Sequence, residues 1–336
     1  MRLSVAGNLL LAGEYLVLEE GGPGLALAVE PRLLASAHPA ERWQVTAIMG
    51  GQRIVWQPPV LAGAAAPGAN AAALPLVDAI FAVARDYLAA RSLAWPAPLA
   101  IELDSGAFFD AAGRKAGYGS SAAGAVALAM LLCRQAGLST ADGAGPAAES
   151  PPDLLIALDG HRRLQGGRGS GYDIFTSYHG GLGLFRGGRR PTWQALPDLR
   201  LPPARLYAGA RAVASGGAVA SFEAARRQQP DAVSACLDQA RRLVLAMAAG
   251  RLGLWTGLRQ ARQLGLELGD LIGVPARLWP DFDQPTRYAK ALGAGNELGL
   301  LLCHGDQSSP SAGLSDAAAA DFGRHLLPGD GPRWLA

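Results

Sequence analysis

Three glycine-bearing segments contain the residues whose types and spacing could do chemistry. The central one reads Gly113-Arg-Lys-Ala-Gly-Tyr-Gly-Ser-Ser-Ala-Ala-Gly124. Glycines let backbone amides approach an anion closely. The Ala-rich run behind them predicts a helix whose unsatisfied N–H groups and positive dipole end face the same point. Ser120 and Ser121 add hydroxyls able to bond a phosphate or a magnesium ion. Gly117-x-Gly119-x-x-Ala122 also fits a dinucleotide-binding fingerprint, but that reading needs a strand directly before the first glycine. Polar and small residues, Asp110 to Lys115, stand there instead. An ordinary loop that only leads into a helix is the third possibility. A Walker A loop is excluded, because neither lysine is preceded by glycine or followed by a hydroxyl residue.

The second segment is His161-Arg-Arg-Leu-Gln-Gly-Gly-Arg-Gly-Ser-Gly-Tyr-Asp-Ile174. Its glycines can wrap a ligand, with Gln165, Arg168 and Ser170 among them. Asp173 is the lone acid. A carboxylate beside such a loop can accept or orient the proton of an attacking oxygen. It can equally cap a helix starting at Ile174, and the pattern leaves both open. The third segment, Ala6-Gly-Asn-Leu-Leu-Leu-Ala-Gly-Glu-Tyr15, reads from its residues only as a buried strand or turn ending in the polar pair Glu14-Tyr15.

Only two of the 30 basic residues are lysines, Lys115 and Lys290, and both stand just before glycine-rich runs. Lysine acts at a phosphate as a compact point charge that arginine does not reproduce. A formal net charge of +2 gives no broad electrostatic footprint, so neither nucleic acid nor an anionic membrane is expected as a partner. Cys133, Cys236 and Cys303 are far apart, with no CxxC, which argues against a disulfide framework or a zinc site. They read as buried apolar thiols in a reducing compartment. Asn8 and Glu14 interrupt the first apolar stretch, so no signal peptide is expected, and the run from Ala122 to Cys133 is too short to span a bilayer. The expected location is cytoplasmic.

The elements that must position these residues are partly visible. Strands are expected at Leu3–Ala6, Leu25–Val29, Gln44–Ile48, Ile54–Gln57, Leu99–Leu103 and Leu298–Cys303. Helices are expected at 71–90, Ser120–Ala136, Asp153–Leu164, Asp231–Ala249 and Leu252–Leu266. Glycines and prolines bracket a linker near 187–203. With 336 residues there is material for two cores, divided there.

Together the segments resemble the GHMP kinase superfamily (galactose, homoserine, mevalonate and phosphomevalonate kinases). That family shows a start leading to Gly-Glu, then Gly-Leu-Gly-Ser-Ser-Ala, then a late Gly-Ala-Gly-Gly turn. Here these appear as Gly7–Tyr15, Gly117–Ala123 and Lys290–Gly299. The run from Gln165 to Asp173, followed by Gly180-Gly181, resembles the phosphomevalonate kinase branch, as does Phe108-Phe109 leading into Arg114-Lys115.

The resemblance implies an α+β chain. Residues 1–190 would form a domain like the second domain of ribosomal protein S5, and 203–330 a ferredoxin-like domain. ATP and acceptor would meet between them, and the fold would include a rare left-handed βαβ crossover. It implies ATP and Mg2+ as cofactors, 5-phosphomevalonate as substrate, and 5-diphosphomevalonate and ADP as products. The molecule would be a monomer or homodimer. Gly117, Tyr118, Gly119, Ser120, Ser121 and Ala122 would cradle the triphosphate, with Ser121 on the metal. Asp173 would be the catalytic carboxylate near the acceptor, Lys115 would supply charge, and Asn8 stands where the family has a catalytic lysine. Glu14, Tyr15, Gln165, Arg168, Ser170, Gly293, Ala294 and Gly295 would serve the substrate. His161 lies near the place of the family's metal-binding carboxylate. A mevalonate kinase, another kinase of the superfamily, and an inactive ligand-binding homologue are the alternatives.

Overall fold

The computed structural model describes residues 1–58, 74–110, 113–138, 150–208, 215–276, 283–293, 298–303, 324–326 and 328–335. The chain divides into two compact units, each discontinuous in sequence. Unit 1 comprises Met1–Asn8, Pro31–Gly180 and Gly329–Ala336; unit 2 comprises Leu9–Glu30 and Gly181–Pro328.

The first half supplies β1 (Arg2–Ala12), β2 (Pro23–Pro39), β3 (Gln44–Met49), β4 (Gln52–Trp56), α1 (Pro75–Ala89), β5 (Leu99–Asp104), α2 (Ser120–Gln135), α3 (Pro152–Leu164) and α4 (Tyr172–His179). With β12 (Arg333–Leu335) the strands run β12-β1-β2-β5-β3-β4. β3 and β5 are parallel, and α1 lies between them in sequence. All five strands expected in this half form, most of them longer than expected. β1 does not stop at Ala6, because Gly7 fits inside the strand: a Cβ there would lie 2.7 Å from the Tyr118 carbonyl oxygen.

Helix α2 is buried from Ala122 through Cys133 without a break. A helix apolar on every side belongs in a core, and its five alanines and Gly124 let neighbours come close. It packs against α1, α3 and α4.

Unit 2 holds β6 (Leu182–Arg186), β7 (Thr192–Ala195), β8 (Ala204–Ala208), α5 (Ser215–Gln228), α6 (Pro230–Ala248), α7 (Leu254–Ile272), β9 (Arg287–Leu292), β10 (Leu298–Cys303) and β11 (Arg324–His325). The last four strands form an antiparallel sheet in the order β11-β8-β10-β9. Leu16, Phe222, Val233, Leu237, Leu268 and Ile272 make one of its cores.

Sequence and structure differ in places. The stretch 187–203 contains β7, paired with β6; four residues between Gly188 and Pro191 on one side and a proline on the other carry too little pattern to read. α7 continues past Leu266 to Ile272, because Gly269 is needed where a Cβ would meet the Val274 carbonyl at 2.7 Å. Only Cys133 is buried; Cys236 and Cys303 are half-buried, and all three are free thiols. Among the described residues, no helix is long and apolar enough to cross a membrane.

Candidate active site

Residues 117–119 form a bend with left-handed backbone at both glycines, φ 78° at Gly117 and 73° at Gly119. Gly119 is the N-cap of α2, and no side chain caps the helix. The first amides of α2 are therefore left facing outward at the positive end of the dipole. Asn8 holds the bend from behind. Its backbone N–H donates to the Tyr118 carbonyl (3.0 Å), and its side-chain Nδ2 donates to Ser177 Oγ (3.0 Å) and reaches the Gly119 carbonyl at 3.4 Å. A Cβ on Gly119 would lie 2.2 Å from that amide nitrogen, so only glycine fits. Asn8 is 3% exposed. It shapes the backbone of the bend, and its donors are turned to protein groups.

Beyond the bend a polar line crosses the unit. Ser121, in the first turn of α2, places Oγ 3.2 Å from His161 Nε2. His161, in the last turn of α3, is buried, and its Nδ1 lies 3.4 Å from Asp173 Oδ2. That approach lacks hydrogen-bond geometry, so Nδ1 is a buried nitrogen with no hydrogen-bond partner. Asp173 lies in the first turn of α4, whose N-cap is Gly171 with φ 86°. The helix starts at Tyr172, ahead of the expected Ile174. One carboxylate oxygen of Asp173 accepts from the Ile174 amide (2.9 Å), and the other faces His161. Asp173 is therefore not the cap of α4, which is Gly171 without a side-chain cap hydrogen bond; it lies inside the first turn with one oxygen toward His161.

The loop between α3 and α4 is strapped down by Arg162, which donates to the carbonyls of Gly169 and Ser170, each at 3.1 Å. Gln165 and Arg168 are exposed on it, and Ser170 is half-buried. Lys115 is exposed and forms an isolated bridge with Phe109 ahead of the bend.

Glu14, Tyr15 and Gly293 belong to unit 2, where they line a small recess with Lys290 and Arg262. Lys290 donates to Glu14 Oε1 and to its neighbour's carbonyl, Ala291, at 2.9 Å. The side chains of the pair are 3% and 15% exposed. Tyr15 adopts φ 60°, rare for a bulky residue, and stacks on Phe222 with ring centroids 5.0 Å apart. Burial pushes its hydroxyl pKa up, with the Glu14 charge adding to the effect. Ala294 and Gly295 lie outside the described residues.

The bend suits a phosphate: two glycines no Cβ could replace without strain, and an uncapped helix end. For Mg2+ the protein ligand available beside the bend is Ser121 Oγ. The described residues contain no cluster of three His, Cys, Asp or Glu for a metal. Mg2+ fits such a sparse set, because it takes much of its shell from phosphates and water.

No protein-family model matches the sequence, and no curated protein does. Solved structures match over nearly the full length. The Lin0012 protein from Listeria innocua aligns with a TM-score of 0.74 at 18% identity, over 99% of both chains. Streptococcus pneumoniae phosphomevalonate kinase, in complex with phosphomevalonate and AMPPNP, aligns at 0.65 and 17% identity, over 92% of this chain and 93% of that one. L. major mevalonate kinase, in complex with R-mevalonate, gives 0.60 at 17%, over 98% and 97%. The chain has the GHMP kinase fold. On this GHMP kinase fold the structure gathers Asn8, residues 117–122 and Asp173 in unit 1, and Glu14, Tyr15 and Gly293 in unit 2. Sequence reasoning gave no role to Ser177, which receives the Asn8 amide, or to Arg162, which pins the loop. The signal for Arg162 was its place just ahead of the glycines it holds.

Proposed function

We propose that this chain transfers the γ-phosphoryl group of ATP to 5-phosphomevalonate, giving 5-diphosphomevalonate and ADP. One observation carries the reading: the uncapped, glycine-led start of α2 lies on the same polar line as the Asp173 carboxylate. The kinase assignment is supported by the shared fold and by the order of the glycine motifs. The choice of acceptor is supported by the run from Gln165 to Asp173, by Phe108-Phe109 ahead of Arg114-Lys115, and by likeness to a kinase solved with phosphomevalonate and AMPPNP. The strand order β11-β8-β10-β9 supports a ferredoxin-like reading of the carboxy-terminal part, 203–330, beside an S5-like part within 1–190.

In this reading the amides of residues 117–122 bind the nucleotide phosphates, and Asn8 keeps the bend in shape for them. Ser121 would hold Mg2+, which would supply neutralisation of phosphate charge. The acceptor is a phosphate oxygen, ionised near neutral pH, so positioning matters more than proton removal. Asp173 then orients the acceptor side and tunes its field. Lys115, Arg168, Gln165 and Ser170 are the polar groups in unit 1 for the substrate's anionic ends.

A second reading, mevalonate kinase, is favoured by the L. major likeness at equal identity. ADP release measured in parallel with phosphomevalonate, mevalonate, homoserine and galactose decides between them. Turnover on phosphomevalonate alone is expected. Turnover on mevalonate but not its phosphate overturns the acceptor. ATP binding without turnover on any acceptor points to an inactive homologue.

A further inference from the structure

We propose that Ser177 is a positioning residue: acting through Asn8, it fixes the bend at 117–119 relative to the helix that carries Asp173. This rests on reading the start of α2 as the nucleotide site. Asp173 and Ser177 lie one turn apart on α4, so both project from one face of that helix. The Asp173 end reaches toward α2 only by its 3.4 Å approach to His161, which is not a hydrogen bond. The Ser177 end is bonded. Asn8 Nδ2 lies 3.0 Å from Ser177 Oγ and 3.4 Å from the Gly119 carbonyl oxygen. A carbonyl can only accept, so the amide must present its NH2 group there, and the same nitrogen meets Ser177. Ser177 Oγ is therefore the acceptor, and one side-chain amide spans α4 and the N-cap of α2.

The neighbouring hydroxyl behaves differently. Thr176 and Ser177 are both fully buried. Thr176 Oγ1 donates to the Tyr172 carbonyl in its own helix at 2.6 Å, the ordinary use of a hydroxyl inside a helix. Ser177 instead takes its bond from a residue 169 positions earlier in the chain. The surroundings of Asn8 leave this link little slack. Its backbone N–H donates to the Tyr118 carbonyl at 3.0 Å, and a Cβ on Gly119 would lie 2.2 Å from Nδ2. A shift of α4 is thus passed through Asn8 to Gly119, and the first amides of α2 keep their place relative to Asp173. Placement counts at this scale, since a misplacement of about 1 Å can cost on the order of a hundredfold in rate. Alanine at 177 leaves a buried amide N–H without its acceptor and releases the bend from α4.

A double-mutant cycle on the full chain tests this, read by AMPPNP calorimetry and by nitrogen-15 amide spectra of the ligand-free protein. Ser177→Ala is expected to weaken AMPPNP about three- to tenfold, the effect of one buried hydrogen bond, and to move the Gly119 and Ser120 amide resonances. In an Asn8→Ala background the same change should add nothing, because Ser177 acts through Asn8. Thr176→Val removes an equally buried hydroxyl from the same helix. It should leave AMPPNP affinity within about twofold and those resonances in place. With phosphomevalonate, Ser177→Ala should lower kcat about tenfold and leave the phosphomevalonate KM within about twofold. Should Ser177→Ala fail to fold, Ser177→Cys takes its place with the same directions expected, sulfur being a weak acceptor. Losses that add to those of Asn8→Ala, or that Thr176→Val matches, overturn the proposal and reduce Ser177 to packing. An unmoved Gly119 resonance does the same. If phosphomevalonate is not turned over but the cycle and the resonances hold, the acceptor reading fails and this proposal stands. Turnover with an additive cycle does the reverse.

Discussion

The two units each bury a polar constellation, and they are built on opposite logic. In unit 2, Lys290 and Glu14 are 276 residues apart in sequence, nearly out of water, and matched charge to charge. Each side chain has what it needs. In unit 1, His161 stands between Ser121 and Asp173 with Nδ1 lacking a hydrogen bond, and the nearby end of α2 lacks a side-chain cap. A satisfied buried pair holds structure together, whereas under-bonded groups beside glycine bends are where a ligand has something to gain.

The sharpest way to break this contrast is Lys290→Met. It leaves Glu14 charged and uncompensated, so urea unfolding should show a loss of about 3–5 kcal/mol, with Lys290→Met/Glu14→Gln recovering much of it. A loss below about 1 kcal/mol would mean the pair is not structural. Asp173→Ala should leave the unfolding midpoint near wild type and lower turnover about tenfold to a thousandfold. Wild-type rates would return Asp173 to its helix alone. Asn8→Ala removes the amide behind the bend. It should cost about 1–3 kcal/mol of stability by leaving Ser177 and the bend unsupported, and weaken AMPPNP in calorimetry.

An effect of opposite sign belongs to Asp153, fully buried at the start of α3. Tyr178 donates to its Oδ1 at 3.0 Å, and Oδ2 has no hydrogen-bond partner. Burial raises its pKa, so the folded state holds this proton more tightly than the unfolded chain does. That favours the folded state at low pH and is lost as pH rises through the folded pKa. Asp153→Asn should therefore be the more stable protein at neutral pH, by about 1–3 kcal/mol, with the advantage shrinking in acid. Denaturation midpoints at several pH values check the trend; an advantage that grows in acid contradicts it.

The sequence was most readable where one local pattern decides the outcome. Local pattern gave β3 and β5 nearly to the residue and β4 two residues late at its start, and an unbroken apolar run gave α2. Glycine spacing pointed to the bend at 117–119 because left-handed backbone leaves few other choices. β6 and α5 were hidden by their glycines, at 183 and at 216–217, and β7 by its shortness. In the site, Asp173 stood out as the lone acid in its segment. His161 did not, since a histidine near the end of an apolar helix looks the same whether it packs or positions. The rarity of lysine marked Lys290, but its partner comes from the far end of the chain, and only folding reveals that the two meet.

The burial of α2 has a consequence for how a ligand is received. Twelve consecutive residues of that helix are locked among neighbours, so its first turn cannot retreat when a nucleotide arrives. If α2 receives phosphates as proposed, the mould for them would be cast during folding, and binding would then spend little on rearrangement. By the same rigidity, exchanging Leu128 or Leu131 for a bulkier side chain, far from any ligand, should be felt at the helix tip as a misaligned grip.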